Sequence, residues 1–220
     1  MIAKKFLPQA ACFDLDGVIL DTESQYTMFW HDMARKYSPE ERNLEYKIKG
    51  QTLVNIFHQY FPDKALQAEI ASQLDAFECQ MNFEYIPGVT DFLLLLRQHT
   101  VPACLVTSSN HEKMDSVYRQ HPEFKSYFSY ILTSEDFRHS KPDPDGYLQA
   151  AAQCHANPAN CVGFEDSFNG LQSVRASGMM VVGLATTNSV NDIRPLSDKV
   201  ITDFRGLTLD NLFDNCNISE

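Results

Sequence analysis

From Pro87-Gly88 onward, the chain alternates between two patterns, and this alternation restricts its possible folds more than any other feature. Short apolar runs, such as 101–106 and 161–164, alternate with amphipathic stretches, such as 89–97 and 171–176. The short runs predict buried strands and the amphipathic stretches predict helices. The same patterns predict further strands at 130–132, 179–184 and 199–201, and further helices at 114–120, 147–154 and 207–213. Strands and helices in alternation predict an α/β fold with a doubly wound parallel sheet.

A different pattern fills the stretch between residues 22 and 86. Apolar residues recur there at helical spacing, and no convincing strand interrupts them. They form three groups: Tyr26, Phe29, Trp30, Met33 and Tyr37; Leu53, Ile56, Phe57 and Tyr60; and Leu66, Ile70, Leu74, Phe77 and Met81. We therefore predict a small all-helical domain at 22–86, inserted into an α/β core made of 1–21 and 87–220.

Two aspartates mark the end of the first predicted strand, the apolar run 10–13. Asp14 comes directly after this run, and Asp16 follows two residues later. Carboxylates this close repel each other and are best tolerated around a cation, and oxygen-only ligands suit Mg²⁺. A carboxylate can also attack phosphorus to give an aspartyl-phosphate. The stretch indicates Mg²⁺-assisted phosphoryl transfer rather than an Asp-rich surface turn or an EF-hand, which needs carboxylates where Val18 and Gln25 stand.

A second polar cluster follows the strand at 101–106. It consists of Thr107, Ser108, Ser109 and Asn110. Ligands of doubly wound sheets bind outside the carboxyl ends of the strands. Hydroxyls and backbone N–H groups at the start of a helix can hold a phosphate there, although the same residue types also serve as ordinary helix caps.

A third cluster, Glu165 and Asp166, follows the strand at 161–164. These two acids can complete a metal site or cap the next helix. Lys141 precedes them in a loop that Pro142 and Pro144 stiffen. A lysine held in this way supplies a compact positive charge for a phosphoryl group and a nearby carboxylate.

Charge and cysteine usage limit the partners and the compartment. The formal net charge of −11 argues against binding to nucleic acid or to an anionic membrane. The apolar block at 92–96 is far too short to span a bilayer. Six cysteines form no Cys-x-x-Cys pair, and the first residues lack the apolar stretch of a signal peptide. These features predict reduced thiols and a cytoplasmic location, and they leave the oligomeric state open.

Together these segments resemble the haloacid dehalogenase superfamily of phosphotransferases. Asp14-x-Asp16-Gly-Val-x-x-Asp21 is similar to its first motif and Val106-Thr-Ser-Ser109 to its second. Lys141-Pro-x-Pro is similar to the third, and Glu165-Asp-Ser-x-x-Gly170 to the fourth. The inserted helices match the family's small helical cap. The resemblance implies a Rossmann-like core and is nearest to the subgroup of beta-phosphoglucomutase and small-molecule phosphatases.

The resemblance also implies a role for each motif residue. Asp14 would be the nucleophile, Asp16 would protonate the leaving oxygen and then help activate water, and Lys141 would neutralise charge. Asp14, the backbone carbonyl of Asp16 and Asp166 would hold Mg²⁺, with Glu165 nearby. The implied phosphate-binding residues are Thr107 and Ser108, and the cluster extends to Ser109 and Asn110.

The helical cap should close over the site and contact the leaving group. Candidates for these contacts are Gln25, Tyr26, Lys47, Lys49, Gly50, Gln51 and Thr52, of which Lys49 and Gln51 are the main ones; ordinary surface polarity is the alternative for each. Tyr26 and Trp30 are expected to pack within the cap.

We predict a Mg²⁺-dependent phosphatase acting on a small phosphomonoester, with a sugar phosphate favoured. A beta-phosphoglucomutase is the first alternative. That enzyme has a cap histidine where this chain has Tyr26. It also has an arginine shortly after a Lys-Gly pair, whereas no arginine follows Lys49-Gly50 in this segment. A non-catalytic binding module is less favoured because all four clusters are intact.

Overall fold

Six parallel strands form one sheet in the computed structural model, which describes residues 7–213. The strands are β1 Ala10–Phe13, β2 Ala103–Val106, β3 Tyr130–Leu132, β4 Cys161–Glu165, β5 Met180–Leu184 and β6 Lys199–Ile201. Their order across the sheet is β3-β2-β1-β4-β5-β6. The predicted α/β fold with a parallel sheet is confirmed.

Strand β1 lies at the centre of the sheet, where the strand order changes direction. Phe13 pairs with Leu105 of β2 on one side and with Phe164 of β4 on the other. All four residues of β1 are buried, as expected for a strand covered on both faces. The chain therefore leaves β1 at the switch point, where ligands bind in sheets of this kind.

Four helices follow β1 in the sequence and precede Pro87. They are α1 Glu23–Tyr37, α2 Leu44–Lys47, α3 Leu53–Tyr60 and α4 Lys64–Glu78. They enclose an apolar cluster of their own, which includes Trp30, Ile56, Phe61 and Ile70. The division into 22–86 and a core of 1–21 with 87–220 stays a proposal.

The other helices cover the two faces of the sheet. They are α5 Val89–Gln98, α6 His111–Gln120, α7 Asp145–Gln153, α8 Phe168–Ser177, α9 Val190–Ile193 and α10 Leu209–Phe213. One face carries an aromatic cluster of Phe13, Phe92, Phe164 and Phe204. On the opposite face, Cys12 of β1 packs in a second apolar cluster with Tyr147 of α7 and Leu171 of α8. None of the helices in the described range combines the length and apolar composition that crossing a bilayer would require.

The structure differs from the sequence patterns mainly at short elements and helix starts. Helices α2 and α9 have four residues each, too few to show a helical period. Helix α6 begins at His111, because Asn110 caps it and the polar first turn carries no apolar period. Cys12, Cys104 and Cys161 are buried free thiols. The predictions about a leader segment at residues 1–6 and about Cys216 lie outside the described residues.

Close packing at Gly163 of β4 provides a test of the sheet and helix arrangement. A Cβ at this position would lie 2.5 Å from Cγ1 of Val174 on α8. We expect Gly163→Ala to lower the free energy of unfolding by about 1–3 kcal/mol, because buried overpacking forces neighbours to move. Urea denaturation measures this loss.

The Val174→Ala background serves as the control for that experiment. Removing the two Val174 methyl groups opens the space, so the same Gly163→Ala change should then be neutral or stabilising. An equal loss in both backgrounds would show that Val174 does not limit this position.

Candidate active site

The three polar clusters and Lys141 meet at the carboxyl edge of the sheet. Asp14 follows β1, Thr107 follows β2 and Asp166 follows β4, and these three strands are neighbours in the sheet. Lys141 reaches the same place from the loop before α7: its Nζ donates hydrogen bonds to Asp14 Oδ1 at 2.6 Å and to the Val106 carbonyl at 3.1 Å. The parallel sheet thus brings together residues that are far apart in the chain.

Three buried carboxylates form a compact acidic centre. Oxygen atoms of Asp14, Glu165 and Asp166 lie within 4.8 Å of one another. Lys141 Nζ also donates to Glu165 Oε1 at 2.6 Å. Three carboxylates with one ammonium leave two negative charges, which one divalent cation would neutralise. Buried hard oxygen donors of this kind fit Mg²⁺.

The electrostatics of this centre favour a cation. Burial raises the pKa of Asp14 to about 8, even though Lys141 opposes the shift. Burial and the neighbouring carboxylates of Glu23 and Glu165 raise the pKa of Asp166 well above its ordinary value. Removing charged carboxylates from water is unfavourable unless opposite charge compensates them. The arrangement is therefore one that a bound cation would stabilise.

Glu165 is held in place from several sides. The Tyr147 hydroxyl donates to Glu165 Oε1 at 2.8 Å, and the backbone N–H of Asp166 donates to Oε2 at 3.2 Å. Gly170 lies so close that a Cβ there would overlap the Glu165 carboxylate. The sequence patterns did not single out Tyr147, because a buried aromatic residue on a helix normally indicates core packing.

Asp166 is also fixed by the loop after β5. The Thr187 hydroxyl donates to Asp166 Oδ2, and Asn188 Nδ2 donates to the Asp166 carbonyl at 2.9 Å. Gly17 faces the same carboxylate with φ +73°, and a Cβ at this position would overlap Asp166 Oδ2. Thr187 and Asn188 were missed, although their place after a predicted strand end was an available signal.

Asp16 lies apart from the acidic centre. Its carboxylate accepts hydrogen bonds from Lys113 Nζ at 2.6 Å to each oxygen, from Ser109 Oγ at 3.2 Å and from the Thr22 hydroxyl. Thr22 precedes α1 but makes no capping bond there. The side chain of Asp16 is thus outside the group that can share a metal ion, and a contribution through its backbone carbonyl stays a prediction.

The predicted phosphate-binding cluster lies at the end of β2, and each of its four side chains forms a hydrogen bond with another group of the protein. Thr107 is fully buried and its Oγ1 accepts from the Ser109 backbone N–H at 3.0 Å. Ser108 Oγ donates to the Gly50 carbonyl at 2.8 Å. Asn110 Oδ1 accepts from the Lys113 backbone N–H at 3.0 Å and so caps α6. A role in binding phosphate stays a prediction for all four residues.

The inserted helices lie directly over this edge of the sheet. Besides the contact between Ser108 and Gly50, the Thr52 N–H donates to Ser140 Oγ at 2.9 Å and Asn169 Nδ2 donates to the Lys49 carbonyl at 2.8 Å. A cavity of about 120 Å³ remains between the two parts. Its walls include Asp14, Asp16, Tyr26, Trp30, Ile48, Lys49, Gln51, Leu53, Ser108, Ser109, Asn110 and Lys113.

Four of the seven cap candidates line this cavity, namely Tyr26, Lys49, Gly50 and Gln51, whereas Gln25, Lys47 and Thr52 are not among its lining residues. Several of the four are engaged with protein groups. Lys49 is buried and forms an ion pair with Glu23. Gln51 Nε2 donates to the Lys47 carbonyl at 3.0 Å. Tyr26 packs in the apolar cluster of the inserted helices and also lines the cavity. Contacts of these residues with a substrate stay predictions.

A parallel sheet with a buried acidic centre at its switch point and a helical insertion above it is typical of α/β proteins that bind a ligand at this edge of the sheet. The chain belongs to the haloacid dehalogenase-like hydrolases, because the model of that family matches residues 11–184. The predicted resemblance to this family is confirmed. The chain is thus an enzyme of this hydrolase family.

Among known proteins, the chain is similar to several phosphatases. A probable pseudouridine-5'-phosphatase of Drosophila melanogaster is 31% identical over 181 residues, which cover 77% of this chain and 78% of that protein. The bifunctional riboflavin kinase/FMN phosphatase of Arabidopsis thaliana is 26% identical over 94% of this chain, which spans 56% of the length of that relative. The crystal structure of beta-phosphoglucomutase from Clostridium difficile matches with a TM-score of 0.77 at 20% identity, covering 94% of this chain and 96% of that one. The structural match shows a shared fold, and the relatives are phosphatases of small phosphorylated molecules.

Proposed function

We propose that this protein is a Mg²⁺-dependent phosphatase that hydrolyses a small phosphomonoester through an aspartyl-phosphate on Asp14. The observation that carries the proposal is the placement of Asp14. Its carboxylate lies 2.6 Å from Lys141 Nζ, shares the acidic centre with Asp166, and lines the cavity beneath the cap. Phosphoryl transfer depends mainly on positioning and charge neutralisation, and this site offers both.

The reaction would run in two steps. A carboxylate oxygen of Asp14 attacks phosphorus, the bond from phosphorus to the ester oxygen breaks, and Asp16 gives a proton to the departing alkoxide. Water, which loses a proton to Asp16, then attacks the phosphorus of the aspartyl-phosphate; the bond from phosphorus to the Asp14 oxygen breaks, which restores the Asp14 carboxylate and releases inorganic phosphate. Lys141 neutralises charge on Asp14 and on the transferring group.

The metal ligands in this proposal are Asp14, Asp166 and the backbone carbonyl of Asp16, with Glu165 nearby. Mg²⁺ would neutralise negative charge on the phosphoryl oxygens. The phosphate contacts are assigned to the Thr107 hydroxyl and the Ser108 backbone N–H, at the start of the loop that leads into α6.

The substrate would be a small phosphorylated molecule, as the names of the phosphatase relatives suggest. A cavity of about 120 Å³ supports a small leaving group. We keep a sugar phosphate as the favoured class, with Lys49 and Gln51 as leaving-group contacts. The cytoplasmic location stays a prediction from the sequence.

A phosphate-release screen over sugar phosphates, nucleotides and pyrophosphate, with and without Mg²⁺, tests the function. We expect release from at least one phosphomonoester, and only with a divalent ion present. Activity that survives complete removal of divalent ions would contradict the mechanism. Conversion of beta-glucose 1-phosphate into glucose 6-phosphate without net phosphate release would assign a mutase instead.

Metal binding itself should be visible as a gain in stability. Mg²⁺ at about 100 times its dissociation constant adds about 2.7 kcal/mol to the free energy of unfolding. This corresponds to a melting temperature about 6 °C higher for a chain of this size. Differential scanning calorimetry with and without Mg²⁺ measures the shift.

Two variants separate site binding from general salt effects. Asp166→Asn removes a proposed ligand and should abolish the Mg²⁺-dependent shift. Asp91→Asn changes an exposed carboxylate on α5 and should preserve it. An equal shift in both variants would place the bound ion elsewhere.

A further inference from the structure

Lys113 is a buried lysine that belongs to none of the four motifs. It lies in the first turn of α6 and is 2% exposed. Its Nζ lies 2.6 Å from both carboxylate oxygens of Asp16, a residue 97 positions earlier in the chain. A buried ammonium is unfavourable unless it is paired and hydrogen-bonded. The ion pair is therefore a specific contact of the folded protein.

Lys113 is the donor that engages both oxygens of Asp16 within the described structure. The Thr22 hydroxyl donates only to Oδ1, and Ser109 Oγ donates only to Oδ2. A neutral hydroxyl on one oxygen restrains the carboxylate weakly, whereas a charged donor shared by both oxygens restrains its rotation and its position. Asp16 and Lys113 both line the cavity beneath the cap.

The cap covers the ammonium from the other side. Nζ of Lys113 lies 4.5 Å from the centre of the Tyr26 ring, within the range of a cation–π contact. The Tyr26 hydroxyl donates to Glu78 Oε1 at 2.7 Å. Tyr26 belongs to α1 and Glu78 to α4, so two cap helices define the wall against which Lys113 packs.

We propose that Lys113 is a positioning residue that holds the Asp16 carboxyl group in the cavity where the leaving oxygen departs, with the Tyr26 ring of the cap keeping the ammonium in place. The inference rests on the proposed role of Asp16 as the acid for the leaving group. It goes further by assigning a residue outside the motifs to the transfer of that proton. The assignment predicts that the importance of Lys113 depends on how much the leaving group needs a proton.

Two esters separate this role from a structural one. One ester is a sugar phosphate, with glucose 6-phosphate as the first choice and the fastest hit of the screen as the substitute. Its sugar leaves as a basic alkoxide that requires protonation. p-Nitrophenyl phosphate leaves as a stable phenolate that needs little help. The ratio kcat/KM reports the barrier up to departure of the leaving group, so it isolates the step in which Asp16 acts as an acid.

For Lys113→Met we expect kcat/KM to fall about 100-fold with the sugar phosphate, the size of loss that a misplaced reacting group causes. With p-nitrophenyl phosphate the loss should stay below about 10-fold, because that leaving group depends little on an acid. Lys113→Arg keeps the charge and a bidentate donor and should recover at least part of the loss with the sugar phosphate. Circular dichroism and thermal unfolding verify that each variant is folded.

Lys125→Met is the matched control. Lys125 is exposed, and its Nζ also lies over a tyrosine ring, 4.1 Å from the centre of Tyr118. The Lys125→Met substitution should leave kcat/KM unchanged for both esters. A fall in the control as large as that in Lys113→Met would overturn the assignment.

A double variant tests the coupling and avoids an unpaired charge at the site. In the Asp16→Asn background, adding Lys113→Met should lower kcat/KM for the sugar phosphate by less than about 3-fold, since residues that act together are not additive. Equal losses with both esters for Lys113→Met, or a full further loss in the double variant, would overturn the role of Lys113 and leave the phosphatase in place. A wild-type protein that cleaves neither ester would overturn the proposed function, and this role with it.

Discussion

Asp14→Asn is expected to lower phosphate release by about 10⁴-fold or more, the largest effect predicted for any single change in this protein. The amide has nearly the same shape as the carboxylate, but it cannot form the acyl phosphate. The variant should remain folded, because Lys141 keeps its second partner, Glu165 Oε1, at 2.6 Å. Loss of activity can then be assigned to chemistry rather than to unfolding.

Two measurements check the Asp14 prediction. Phosphate release with the best substrate of the screen gives the loss in rate, and mass spectrometry of protein quenched in acid during turnover detects the phosphorylated enzyme. Wild-type protein and the Asp91→Asn control should both carry the phosphoryl group, and Asp14→Asn should carry none. If Asp14→Asn released phosphate as fast as the wild type, the nucleophile would have to be a different residue.

Lys141→Met should have the largest effect on stability. Removing one partner from a buried charge pair lowers the free energy of unfolding by roughly 3–5 kcal/mol. Here the loss would leave the carboxylates of Asp14 and Glu165 buried without their cation, since Lys141 is 2% exposed. Activity should fall as well, because Lys141 contacts the proposed nucleophile. Urea denaturation in the absence of divalent ions measures the change in stability.

The surface pair of Lys36 and Glu69 offers a matched comparison. Its atoms are 3.3 Å apart and both side chains are 54% exposed. Lys36→Met removes the same charge from solvent-exposed surroundings and should lower stability far less than Lys141→Met does. Similar losses in the two variants would show that Lys141 contributes no more than an ordinary surface lysine.

The loss in Lys141→Met should also depend on pH. The pKa of Asp14 is already raised to about 8 by burial, and removing the neighbouring ammonium raises it further. A carboxyl group whose pKa is higher in the folded state binds more protons when folded, so stability falls as the pH rises from its unfolded pKa towards its folded pKa. The deficit relative to wild type should therefore be smaller at pH 5 than at pH 8.

Much of the core and of the acidic centre could be predicted from the sequence because both depend on local signals. A buried parallel strand is a continuous apolar run, as in Ala10–Phe13, and the residue after such a run lies at the edge where ligands bind. That rule selects Asp14, Thr107 and Glu165, and Asp166 is the next residue in the chain. The short helix Leu44–Lys47 carries no such signal, because four residues do not complete a recognisable period.

The order of the motifs along the chain and the helical period of the insertion were sufficient to determine the α/β class, the family and the acidic residues at the strand ends. Only the tertiary structure decided that Lys113 holds Asp16, that Tyr147 donates to Glu165, and that Glu23 pairs with Lys49. These contacts join residues that are 18 to 97 positions apart in the chain. No local sequence pattern predicts these contacts, because the partner of a buried polar or charged side chain is whichever residue the tertiary packing places next to it.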